Sequence, residues 1–200
     1  MAALFTLLQN AVKVNFTGNG TPASATITNL SGTRGFFQGL PVFGPGVPQG
    51  AVIDSFDPVG LTVTLSAPLT APSTAGAFST GFLTTGRRVQ FWTDVAAQPA
   101  LFLRHTAAED DYPGTVLQRT SIEAEIWIYA KNTDPNAPAD TLLNNLITAV
   151  RTVLAADVMG NPVNLSGLAR FCRIEGRSDY DPGDIDAQAK AVIPVKILLP

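Results

Sequence analysis

Residues 120–130 read TSIEAEIWIYA, and this stretch decides the fold class. Ile122, Ala124, Ile126, Ile128 and Ala130 fall on one side of an extended chain, and Glu123, Glu125, Trp127 and Tyr129 on the other. A period of two is the signature of a β-strand with one face in a core, because successive side chains point to opposite faces of the pleat.

Toward the C-terminus, residues 132–140 (NTDPNAPAD) form a turn-rich loop whose Asp140 suits the N-cap of a helix. Leu143, Leu146, Ile147, Val150 and Leu154 then recur at helical spacing over 141–156, and Asn161-Pro162 closes that region. Two more strands are expected, at 170–176 and 187–199. In the second, Ala189, Ala191, Ile193, Val195, Ile197 and Leu199 share a face, with Lys190, Pro194 and Lys196 opposite. Proline within a strand, flanked by lysines, predicts an edge strand. Toward the N-terminus, strands are expected at 100–106 and 88–92. A helix is expected over 3–13, with Leu4, Leu7, Leu8, Ala11 and Val12 on one face.

Between these parts the composition changes. Residues 14–86 carry three charged side chains, Arg34, Asp54 and Asp57, but 12 of the 17 glycines and 7 of the 15 prolines. No helix fits so many breakers. Short strands fit, at 25–30, 51–56, 61–67 and 77–83, with Asp57-Pro58-Val59-Gly60 as a tight turn in which glycine relieves the exit. The expected architecture is therefore α+β: an antiparallel sheet with two helices packed on one face, plus a small all-β insertion. The α+β domain spans 1–16 and 85–200, and the insertion spans 17–84. The ends of an insertion must lie close together, so replacing 18–84 with a short linker is expected to leave a folded domain.

The charged fraction is 14%, the hydrophobic fraction 46% and the net charge −3. So few charges favour assembly with other surfaces, and the acidic balance disfavours a general nucleic-acid binder. One cysteine, Cys172, excludes an internal disulfide. Residues 1–14 lack a basic leader, and Gln9 and Asn10 interrupt their apolar run, so they read as helix rather than secretory signal. No apolar run is long enough for a membrane span.

Catalytic chemistry finds little support. His105 is the only histidine and no serine elbow accompanies it. Cys172 alternates with Ile174 in a strand, as a core thiol does. The glycines at 44, 46 and 50 precede a strand, whereas a phosphate loop must open a helix. Asp179, Asp181, Asp184 and Asp186 lack calcium-loop spacing and read as a solvated hairpin. Neither enzyme activity, cofactor nor metal is expected. Glu109, Asp110 and Asp111 read as an acidic loop, either a plain solvated loop or one suited to a surface that DNA passes without sticking. Trp127 and Tyr129, with Lys190, Pro194 and Lys196, are the candidate protein interface, although a second helix covering that face would explain the two aromatics equally well.

The segments MAALFTLLQNAV, RRVQFWTDVAAQPALFLRH, TSIEAEIWIYAKNT and ADTLLNNLITAVRTVLA, and the closing hairpin from Ala169, occur in an order that resembles the tail terminator and tail-completion proteins of long-tailed phages. The insertion, with GLPV at 39–42, GPGVP at 44–48 and TVTLS at 62–66, is similar to a β-module of phage structural proteins. The resemblance implies a homo-hexameric ring at the head-proximal end of the tail. That ring would contact tail tube protein and neck connectors and let genomic DNA pass without specific binding. A neck or other minor tail protein, or a glycan-binding β-module, is the alternative.

Overall fold

Lys13 stands opposite Gly81 in a two-stranded pairing, and the rest of the chain is arranged around that point. The computed structural model describes residues 1–33, 36, 38–111, 119–131, 139–156, 159–182 and 188–200. Helix α1 (Ala2–Val12) runs without a loop into β1 (Lys13–Gly20). Strands β2 (Thr26–Thr28), β3 (Val42–Phe43), β4 (Ile53–Asp57), β5 (Thr62–Leu65) and β6 (Ser73–Gly81) complete a first sheet of order β3-β6-β1-β2-β5-β4, antiparallel throughout. Strands β7 (Thr84–Gly86), β8 (Ala100–Asp111) and β9 (Arg119–Lys131), helix α2 (Ala139–Leu154), and strands β10 (Phe171–Ile174), β11 (Asp179–Asp181) and β12 (Gln188–Leu198) follow. The second sheet has the order β10-β12-β9-β8-β7, with β11 also on β12. The described chain is mostly β with two helices, compatible with the α+β class.

The alternation at 120–130 becomes β9, paired along its length with β8 and β12. Ala124, Ile126, Ile128 and Ala130 are buried beneath α2, whose Leu143, Leu146, Ile147, Val150 and Leu154 form its buried side. Helix α1 packs against α2 and β1, with Leu4 and Leu8 fully buried. One continuous cluster of buried residues runs from Phe16, Ile27 and Phe78 of the first sheet to Ile126 and Ile193 of the second.

Strand β1 crosses the expected 16/17 boundary. The first sheet is entered at Lys13 and left at Gly81, and those two positions face each other. The turn after β4 also differs in detail from expectation. Leu61, not Gly60, takes the left-handed conformation (φ 50°). A Cβ at Gly60 would lie 2.6 Å from Asp57 Oδ2, so the carboxylate would have to move aside. The Val59 and Gly60 N–H groups donate to the Asp57 carboxylate and hold it below the usual range.

Expectations for residues 88–92, for the cap of α2 and for β12 are corrected. Arg88–Trp92 is not a strand. β7 and β8 are parallel, so the chain must travel back before pairing again, and parallel neighbours need a crossover of about a dozen residues. Residues 87–99 are that crossover, with a 3-10 turn at Trp92–Asp94. Asp140 lies inside the first turn of α2 rather than at its N-cap, where its carboxylate still faces the positive end of the helix dipole. Residue 138, the cap position, is outside the described residues.

The third correction concerns β12, which is no edge. It pairs with β9 from Gln188 to Leu198 on one side and with β10 and β11 on the other. Pro194 is tolerated because it falls in the gap between those two short partners. β10 reaches to Val195 and β11 stops at Val192. A missing N–H breaks no ladder bond where the neighbouring strand is interrupted. The chain crosses that gap at Glu175, whose N–H donates to Pro194 O (3.2 Å), and at Gly176.

Candidate assembly surface

The face of the second sheet opposite α2 carries most of the expected interface residues. Register fixes the arrangement: Trp127 lies between Phe102 of β8 and Val192 of β12, Glu125 between Arg104 and Pro194, and Tyr129 beside Lys190. Directly opposed residues in antiparallel strands share a face. Trp127, Lys190, Pro194 and Lys196 therefore come together on one surface.

Tyr129 does not belong to the open part of it. The crossover 87–99 folds over this end of the sheet, and Val89 and Val95 pack with Ala100, Phe102 and Tyr129 in a second small core. Tyr129 is only 4% exposed, its hydroxyl donates to Gln90 O (3.0 Å), and burial raises its pKa. It is an internal packing residue, which corrects its expected place in a subunit contact. Trp127 remains half-buried, with its ring edge-on to Tyr129 (6.4 Å) and its indole N–H donating to Glu125 Oε2 (2.8 Å).

The crossover is pinned by a reciprocal amide pair. Gln98 Nε2 donates to Gln188 Oε1 (3.0 Å) and Gln188 Nε2 to Gln98 Oε1 (2.9 Å). Gln188 also donates to Ala130 O (3.3 Å) and is buried, so each amide satisfies the other's polar groups inside the fold. Gln188→Leu is expected to cost about 1–3 kcal/mol, the penalty for leaving the half-buried Gln98 amide and the buried Ala130 carbonyl without this partner. A urea titration checks this through a lowered midpoint at unchanged slope.

The uncovered part of the face is lined with charge. A cleft of about 190 Å³ is bounded by Thr106, Glu123, Glu125, Glu175, Pro194 and Lys196. Lys196 Nζ lies 3.6 Å from Glu175, Lys190 Nζ 3.6 Å from Asp181, and Arg104 3.8 Å from Glu125. The Arg173 guanidinium, hydrogen-bonded to Glu175, holds that carboxyl below its usual range. The two lysines therefore serve face ion pairs, not the guarding of an edge.

The second surface is the β8–β9 ribbon. Glu109, Asp110 and Asp111 were expected in a loop, but they form the last residues of β8, opposite Ser121, Thr120 and Arg119. A partner strand as long as β9 extends β8 past His105 with the aid of one extra residue, Thr106, between His105 and Ala107. β7 covers only Ala100–Phe102 on the far side of β8. From Leu103 to Asp111 that edge of β8 has no partner among the described residues, and Arg104 to Asp110 are exposed. Sequence reading missed this open edge. The length of the 120–130 alternation was the signal for it, since a thirteen-residue strand implies a neighbour of similar length.

His105 sits on this ribbon, exposed and opposite Ala124. Cys172 is fully buried in β10, and burial pushes its thiol up to about 12. Because the folded state holds the thiol neutral, this contribution to stability is complete below pH 9. It is lost as pH rises toward 12, where an unfolded chain has already ionised. The native protein is expected to resist thiol-labelling reagents at pH 8 and to react fully in urea, as a timed labelling assay reads directly. Asp179 and Asp181 lie in β11 against Arg177 and Lys190, whereas Asp184 and Asp186 fall outside the described residues. Among the described residues no three His, Cys, Asp or Glu side chains converge as metal ligands, and no helix is long and apolar enough to cross a membrane.

No protein-family model matches the chain, and no curated protein matches it either.

Proposed function

We propose that this chain is a structural virion protein resembling a phage tail terminator. It forms a ring, a hexamer by the same resemblance, that caps the tail tube, stops its growth and offers a surface to the head or neck. The observation that carries the reading is the order of elements: a helix, an inserted β-unit, a long antiparallel strand pair, a second helix and a closing strand pair. Contact between α1 and α2, and the shared core from Leu4 to Ile193, support a layer of two helices over one sheet face. The neighbour contact is placed on the uncovered face, with Trp127 at its centre and Lys190, Pro194 and Lys196 around it. Half-buried aromatics ringed by charge suit such a centre.

In this ring the acidic end of the ribbon, Glu109 to Asp111, borders the lumen, where like charge lets DNA slide past without binding. Heterologous contacts close into a ring only at the right rotation, and a terminator must close because it has to end growth. The test is a phage lacking this chain. Tail tubes of uncontrolled length, without joined heads, are the expected result; tubes of normal length refute the role.

A second reading rests on one cleft. Trp92 is 44% exposed beside an opening of about 450 Å³ that Gln49 of the first sheet region, Gln98, Lys131 and Gln188 also line. An aromatic face with amides around it suits a sugar ring, so a glycan-binding tail component is the alternative. Saturable glycan binding that Trp92→Ala abolishes favours it.

A further inference from the structure

We propose that the open edge of β8 pairs antiparallel with β8 of a second copy about a two-fold axis at Ala108, giving an isologous dimer with one sheet continuous through both chains. An unpaired edge nine residues long, Leu103 to Asp111, offers a row of free backbone donors and acceptors, which a folded protein must cover, charge or pair.

The charge pattern of this edge complements itself. Residues 104–110 read RHTAAED: basic at one end, small in the middle, acidic at the other. A strand of that kind repels a parallel copy and attracts an antiparallel one. The extra residue Thr106 sets which side chains meet. Arg104 opposes Glu125 and Glu109 opposes Ser121, so both lie on one face of the ribbon. His105 opposes Ala124 and Asp110 opposes Thr120, so both lie on the other. A two-fold axis perpendicular to the sheet keeps the faces matched. With the axis at Ala108 and Thr106 left out of register, as it is in the pairing with β9, His105 comes opposite Asp110 of the second copy, and Arg104 comes within diagonal reach of its Glu109. Each contact occurs twice, and only alanine methyls meet at the centre.

The length of the edge fits too. β7 ends at Gly86, beside Phe102, so a neighbouring strand has room only from Leu103 onward. Arg87 and Arg88 follow there, exposed and without an ion pair among the described residues, where the acidic end of the neighbouring strand arrives.

The dimer does not rest on the ring reading. A pair closed by two-fold symmetry cannot grow further. In a protein that also joins a ring, it stores the chain with its edge covered until a tube is met.

Two measurements test it on the full chain. Under mild oxidation Ala108→Cys is expected to form a disulfide dimer, because the two thiols meet at the axis while Cys172 is buried and does not compete. Val59→Cys, at a tip that is 91% exposed, is the control and should form no disulfide dimer. In sedimentation at low salt, Arg104→Glu and Glu109→Arg should each weaken the dimer about tenfold, since each turns two attractions into repulsions. The double swap in one chain should restore it to within about threefold. A monomer at about 100 µM, cross-linking of Ala108→Cys no faster than the control, or a double swap as weak as the singles overturns the proposal. Hexamers whose Ala108→Cys variant does not cross-link leave the ring reading standing and remove this one. A cross-linked dimer from a chain absent from tail ends does the reverse.

Discussion

An Ile126→Asp chain is expected to have no folded state at 25 °C. Ile126 lies at the centre of β9 with Leu103 on one side and Ile193 on the other, and all three are almost wholly buried. Removing the isoleucine forfeits about 1.5–3 kcal/mol of apolar burial. The carboxylate then sits among hydrocarbon with neither cation nor spare donor, which costs several kcal/mol more or forces it to stay protonated. A domain of this size has about 5–15 kcal/mol in total, and the strand at fault anchors both of its neighbours. Far-UV circular dichroism and soluble yield read the outcome. Trp127→Ala, one residue along on the half-open face, should still fold. A cooperative melt of Ile126→Asp within a few degrees of wild type would show that the register is not as described.

Where the chain is cut to remove the first sheet should matter nearly as much. Lys13 and Gly81 are opposed residues of an antiparallel pair, so their Cα atoms lie about 4.5–5.5 Å apart. Replacing 14–80 with a two- or three-residue Gly/Ser linker therefore reconnects α1 to Phe82 without strain. It leaves Leu4, Leu8, Phe82 and β7 in place. That protein should unfold cooperatively, somewhat destabilised because Gly39 and its neighbours no longer cover Asn145 on α2. Replacing 18–84 instead strands the start of β1 without β6 and deletes Phe82 and Thr84. The loss of one fully buried phenylalanine alone is worth about 3–5 kcal/mol. The 14–80 variant is expected to be the more stable by several kcal/mol in urea. Equal stability would show that the cut at Lys13 and Gly81 is not the one that matters, and no cooperative transition in either would show that the two sheets fold only together.

The parts of the fold legible in the sequence are those where one physical pattern acts alone. The alternation of Ala124 to Ala130, the helical spacing of Leu143 to Leu154 and the alternation of Ala189 to Ile197 each state which face is buried, and each does bury that face. What failed depended on neighbours distant in sequence. Pro194 and its lysines carry the marks of an edge, yet the proline occupies a gap between β10 and β11 that nothing local reveals. RRVQFW has strand-forming residues, but β7 and β8 are parallel and its place is the crossover. Tyr129 was legible as an aromatic on the polar face, not as one covered by the chain's own residues 87–99. The acidic run carries the mark of a loop because charge usually marks one, whereas pairing with β9 carries β8 through it. The site is thus legible in composition and illegible in coverage.

The proposed tail-terminator role places the protein at one end of a phage tail. Electron microscopy of assembled tails carrying this chain, labelled at the exposed Val59 tip, tests it most directly. The account predicts one ring of copies at the head-proximal end of the tube. Copies spaced along the tube, gathered at its distal tip or spread over the capsid shell would contradict it.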